Sequence, residues 1–133
     1  MVEINAYSKA ASGGKQLSAH FKVREFACGD GSDAVLVAPR LVMVLQSIRS
    51  HFGVPVVIHS AYRTPQYNAK VGGVAHSQHC YGTAADISVK GHTPAEVAAF
   101  ARQIMPDWGG VGVYAGQNFT HIDVREKKSD WTG

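Results

Sequence analysis

The sequence predicts an α+β domain, a small antiparallel sheet with helices flanking it. Three observations lead there. Two segments carry their apolar residues on one helical face, two others alternate apolar with polar residues, and a glycine-rich run joins one of these through a tight turn. At 133 residues the chain makes one domain. A domain of that size buries roughly 65–70% of the surface its unfolded chain exposes, enough for a real core.

Residues 1–16 are small, polar and without period, and are expected to form a flexible N-terminal arm. The folded domain is expected over 17–133. Its first helix spans about 39–52: Pro39 suits a first turn, Leu41, Val44, Leu45, Ile48 and Phe52 share a face, and Gly53 ends it. The run VPVVI at 54–58 reads as a buried strand. Thr64-Pro65 opens a short helix that Gly72-Gly73 closes. The second long helix starts at the capping box Thr93-Pro94-Ala95-Glu96 and runs to Met105-Pro106, with Val97, Phe100, Ala101 and Ile104 on its apolar face.

Two strands carry the chemistry. In TAADISVK, Ala85, Ile87 and Val89 alternate with Ala84, Asp86 and Ser88; in NFTHIDVR, Thr120, Ile122 and Val124 alternate with Phe119, His121, Asp123 and Arg125. Successive side chains on a strand point to opposite faces, so each strand offers one face to the helices and one to a site. GVGVYA pairs with NFTHIDVR as a hairpin across AGQN.

Composition narrows the function classes. Apolar residues make up 45% of the chain and charged residues 17%, ordinary for a soluble globular protein. The net charge of +3 fits an acidic partner surface or a merely solvated exterior, and the basic residues lack the clustering that nucleic-acid binding needs. No apolar run approaches a membrane span, so no stable membrane association is expected, and the protein is expected to be monomeric. The opening MVEINAYSKAASGGKQ lacks the apolar core of a secretory signal, so synthesis in the cytoplasm is expected. Cys28 and Cys80 are too few for a disulfide framework and are read as free thiols.

A catalytic zinc needs three protein ligands and an open position, and two histidines with one carboxylate are a common set. His79 and Asp86 flank the glycine-bearing bend SQHCYGTAAD, and Asp86 and His121 lie on the polar faces of two strands. If those faces adjoin, the three converge. Spacing alone does not single them out, because a chain with seven histidines offers several such sets.

Three blocks add a resemblance. They are S-A-Y-R-T-P-x-x-N at 60–68, S-x-H-x-x-G-x-A-x-D at 77–86 and F-x-H-x-D-x-R at 119–125. In these the chain resembles the zinc D-alanyl-D-alanine carboxypeptidase family, which includes phage endolysins and shares its fold with the hedgehog signalling domain. The likeness covers about Leu17 to Trp131. It implies that His79, Asp86 and His121 hold Zn2+. Two neutral imidazoles and one carboxylate leave such a centre near +1, so the metal remains a strong Lewis acid.

The resemblance also puts Arg63 at the family's arginine position. There its planar fork would bind a substrate carboxylate or a developing oxyanion, as a substrate-binding and catalytic residue. Ser77 would bind substrate or cap the bend, and Asn68 would support the arginine loop. His59 and His76 would flank the site; His20, His51 and His92 read as ordinary exposed residues, and Cys80 as a small buried hydrophobe. Many relatives place a carboxylate base three residues before the last histidine, and some a histidine two before it; here those positions hold Asn118 and Phe119. Asp123 is then the nearest carboxylate. It would act either as the catalytic base or as a partner that orients an imidazole or pairs with Arg125.

What the resemblance implies is a zinc peptidase hydrolysing amide bonds in peptidoglycan stem peptides or cross-bridges, as a carboxypeptidase or endopeptidase. The expected setting is a phage endolysin or wall-degrading protein, acting on the wall after release from the cytoplasm or within a phage particle. The alternative is a wall-binding module that keeps the zinc but does not cut.

Overall fold

Residues 2–133 are described by a computed structural model. A short strand, β1 (Asn5–Ser8), leads into one helical turn, α1 (Lys9–Ser12), and two short strands, β2 (Gln16–Ser18) and β3 (Phe21–Lys22). Next come β4 (Ala34–Val37), the long helix α2 (Pro39–Phe52), β5 (Val56–Ser60) and the short helix α3 (Pro65–Lys70). The chain finishes with β6 (Ala84–Val89), helix α4 (Pro94–Ile104), β7 (Gly110–Tyr114), β8 (Phe119–Asp123) and β9 (Ser129–Thr132). The architecture is α+β, as the alternation of periods predicts.

Local chemistry sets the helix boundaries. Pro39 occupies the first turn of α2, where its missing N–H costs nothing, and Gly53 ends the helix in the left-handed region at φ 68°. At α4 the Thr93 hydroxyl accepts from the Glu96 N–H at 3.2 Å, while the Glu96 carboxylate accepts from the Thr93 N–H at 3.0 Å. Thr64 caps α3 through its hydroxyl, 3.2 Å from the Tyr67 N–H.

The main sheet has the order β5-β6-β8-β7-β9. Leu41, Leu45 and Ile48 of α2 and Val97, Ala98 and Ala101 of α4 are buried in one core with Ala85, Ile87, Val89, Val111 and Ile122 of the sheet. The helices cover one face. The opposite face carries Asp86, His121 and Asp123.

Three expectations change. The sheet is antiparallel from β5 to β7, but β9 runs parallel to β7 and makes the sheet mixed. Where a loose arm was expected over 1–16, residues 2–16 carry ordered elements: β1 pairs with β4 from Asn5↔Val37 to Ser8↔Ala34, and the Asp33 carboxylate accepts from the Ser8 hydroxyl at 2.6 Å and the Ala10 N–H at 2.8 Å. Met1 lies outside the described residues. The strand expected at 54–58 begins later, at Val56, and its register with β6 shifts between Ile58 and Ser60, which brings Ser60 opposite Asp86. Among the described residues no helix is long and apolar enough to cross a membrane.

Candidate metal centre

Asp86 and His121 are direct partners across the β6–β8 ladder, so the two polar faces do adjoin. Side chains on directly opposed residues of one face are close neighbours, and the Asp86 Oδ1 lies 3.0 Å from His121 Nδ1. His79 comes from the 3-10 turn Gln78–Tyr81 that precedes β6. Ser77 caps that turn, its hydroxyl 3.2 Å from the His79 N–H, and Gly82 ends it at φ 76°. A side chain at Gly82 would also meet the Leu36 carbonyl at 2.6 Å, so glycine is needed twice over. The turn brings His79 Nε2 to 3.3 Å from Asp86 Oδ2. All three residues are buried, and their ligand atoms lie within 4.8 Å of one another.

The hydrogen bonds fix which nitrogen of each ring is available. His79 Nδ1 is 2.7 Å from the Ala61 carbonyl, which can only accept, so that nitrogen carries the proton and Nε2 faces Asp86. His121 Nε2 is 2.8 Å from the Asp123 carboxylate, so Nε2 donates and Nδ1 faces Asp86. As a neutral ring each histidine then turns its remaining nitrogen toward a carboxylate oxygen, an arrangement completed by a cation in between, either a metal ion or a proton. Donors around a tetrahedral zinc stand about 3.4 Å apart, from bond lengths near 2.0–2.2 Å. The 3.0 and 3.3 Å separations of Asp86 from the two rings fit that set. Burial would raise the Asp86 pKa, but hydrogen bonds with His121 and His79 hold it well below the ordinary carboxylate range.

Asp123 stands behind His121, on the side of the ring away from Asp86. It is fully buried. Its Oδ2 receives His121 Nε2–H and Arg125 Nη2 at 2.6 Å, and its Oδ1 receives the Arg125 N–H at 3.1 Å and Nε at 2.8 Å. Burial opposes its charge, yet Arg125 and His121 outweigh burial and keep its pKa low. Of the two roles expected of Asp123, this geometry favours the partner that orients an imidazole and pairs with Arg125 over the catalytic base: both oxygens are occupied and neither opens on the cleft. Gly110, opposite Asp123 in the β7–β8 register, provides the space, since a side chain there would collide with the carboxylate.

Arg63 lies beside the centre, its side chain 15% exposed. Its Nε donates to Ser60 at 3.0 Å and Nη1 to Asn68 at 3.2 Å, while Nη2 reaches Asp86 at a long 3.5 Å. Asn68 in turn donates to the Val74 carbonyl at 2.8 Å, and Gly73 leaves room for the Asn68 amide beside Arg63. Two hydrogen bonds therefore orient the fork, as expected of a supporting Asn68.

A cleft of roughly 600 Å³ opens over the group, with Arg63, Ser77, His79, Asp86 and His121 on its surface. Asn118 does not line it: the residue ends a 3-10 turn at φ 55°, in a left-handed conformation asparagine tolerates. It precedes β8 and is exposed. Nor does His76 line the cleft; it is exposed, 3.4 Å from the Tyr81 hydroxyl. His59 bonds Ser88 at 2.7 Å, and His51 stacks on Phe100 with centroids 3.8 Å apart. Both cysteines are free thiols; Cys28 is buried and Cys80 partly so. Sequence reasoning missed Trp131, which forms part of the cleft wall.

The family model for Peptidase M15 matches residues 12–123. No curated protein matches the chain.

Proposed function

The chain belongs to the M15 peptidase family, and from that premise we propose that it is a zinc-dependent peptidase cutting amide bonds in the peptides of bacterial peptidoglycan. The observation that carries the reading is the buried His79–Asp86–His121 group, opening on a cleft beside an oriented Arg63. When bound, zinc would supply a Lewis acid that activates water and polarises an amide carbonyl. The chain's own residues do the rest. Ala61 and Asp123 fix the tautomers of the two histidines, and such partners make metal-bound imidazoles better ligands. Arg63 offers a permanent charge and a planar fork to a substrate carboxylate or developing oxyanion. Ser77 holds the turn that presents His79 and faces the same cleft.

The substrate class, a monomeric state and action on the wall as a phage endolysin or particle component belong to this proposal and come from the sequence motifs. The test is purified peptidoglycan incubated with the protein, followed by assay of newly freed amines and mass spectrometry of the fragments. The expected result is amine release that a chelator abolishes and added zinc restores. Folded, zinc-loaded protein that binds wall and frees no amine contradicts it.

That outcome would favour the second reading, a zinc-containing wall-binding module. One observation supports it: among the described residues lining the cleft, Asp86 is the only carboxylate.

The role of Asp123 has its own test. If it orients His121, Asp123→Asn should weaken zinc affinity about 10–100-fold, the usual cost of losing a partner behind a ligand, with excess zinc restoring much of the hydrolysis. A variant with normal zinc affinity and no hydrolysis would instead return Asp123 to the role of base.

A further inference from the structure

One wall of the cleft is not explained by metal binding. Tyr114 and Phe119 stack with ring centroids 4.4 Å apart and 10° between their planes. Trp131 donates its indole N–H to the Tyr114 hydroxyl at 2.9 Å. All three rings are half-buried and line the cleft. Trp131 also lies 5.0 Å, centroid to centroid, from the ring of His121, so the wall borders the candidate metal centre directly.

The wall is built rather than incidental. Trp131 is paired with Gly112 in the β7–β9 register, and a side chain on Gly112 would strike the indole at 2.6 Å. The neighbouring Asp130 receives two hydrogen bonds from Arg102 of α4, at 2.8 and 2.9 Å. Lys128 reaches the Met105 carbonyl at 3.3 Å, and the Arg125 guanidinium lies 5.4 Å from the indole centre. The match to the family model ends at residue 123, before β9 and its tryptophan.

Contiguous aromatic faces left half-exposed in a polar cleft are poorly hydrated, and rigid aromatic rings lose little entropy on binding. The same cleft is lined by Arg63, Ser77 and the His–Asp–His group. A ligand matching both walls is polar at one end and rich in C–H at the other. Resting on the peptidase reading above, we propose that Trp131, with Tyr114 and Phe119, forms a recognition subsite for a C–H-rich face of the substrate beside the amide held at the metal centre. Such a face comes either from an aliphatic peptide side chain or from the pyranose ring of the attached sugar. Trp131 is the specificity-determining residue, and Arg102 and Asp130 are positioning residues that hold its strand.

The test uses the zinc-loaded full chain and two probes, a sugar-free wall stem peptide and the same peptide carrying its disaccharide. In a Trp108→Phe background the remaining indole emission reports on Trp131 alone, so binding is read independently of turnover. Saturable change in that emission is expected. Response to both probes assigns the C–H face to the peptide, and response only to the second assigns it to the sugar. Trp131→Ala should raise KM about tenfold or more, the loss typical of truncating an aromatic anchor, with kcat nearly unchanged. Zinc content should stay at the parent level. Trp131→Leu keeps apolar volume against His121 without a flat face and should behave alike, while Trp131→Phe should recover most of the loss. A parent KM in both Trp131→Ala and Trp131→Leu, or no emission change with either probe, overturns the subsite and leaves the peptidase reading standing. Saturable emission change with neither probe cut and no amine freed from whole peptidoglycan supports the subsite and refutes the peptidase reading.

Discussion

His121→Ala protein should leave purification with little zinc and should free amines from wall more than about a hundredfold more slowly than the parent. The estimate follows because losing even an outer partner of a ligand costs 10–100-fold, and a ligand itself costs more. His121 faces Asp86 through Nδ1 at 3.0 Å and is aimed by Asp123 at 2.8 Å, so its removal takes one nitrogen from the group and one neighbour from each of two buried carboxylates. His79→Ala should lose metal for the same reason, since its Nε2 is the other nitrogen facing Asp86. His76→Ala should keep it, because that side chain is exposed and off the cleft. Metal-to-protein ratios with circular dichroism as a check on folding read all three. Full zinc in either ligand variant would remove that histidine from the centre.

Arg63→Lys should lower turnover well over about tenfold, since losing one oxyanion donor costs about 2.7–4 kcal/mol. The zinc content should not change. Arginine here donates through Nε to Ser60 and through Nη1 to Asn68 while Nη2 points toward Asp86. A single ammonium keeps the charge but cannot make that fork. Near-normal turnover in the variant would reduce Arg63 to a structural tie between Ser60 and Asn68.

The site was legible where side-chain direction follows from strand period alone. Asp86 and His121 sit on the polar faces of alternating segments, and one register, Asp86↔His121, converts that pattern into contact. His79 needed the resemblance as well as the bend, because a 3-10 turn leaves no periodic trace in sequence. Asp123 shows the limit of reasoning by distance along a strand. It shares the face of His121 as expected, yet its rotamer and the Arg125 fork turn it behind the imidazole, a matter of local packing. The glycines at 110 and 112 read only as part of a hairpin strand and prove to be the spaces that hold Asp123 and Trp131.

The long helices were legible because amphipathic period, proline, capping box and terminal glycine agree. What escaped were short strands whose partners are distant in sequence. β1 is ordered by β4, and β9 by β7 and the Arg102–Asp130 pair. Nothing within NAYS or SDWT marks either pairing, since four-residue strands owe their order to the neighbour they join.

Elemental analysis of the parent protein, purified without added metal, tests the central claim most directly. The account predicts one zinc per chain, with parallel loss of zinc and hydrolysis on chelation and recovery of both on returning zinc. Well-folded, metal-free protein that takes up no zinc at neutral pH would contradict it, leaving His79, Asp86 and His121 as a buried polar cluster held together by protons.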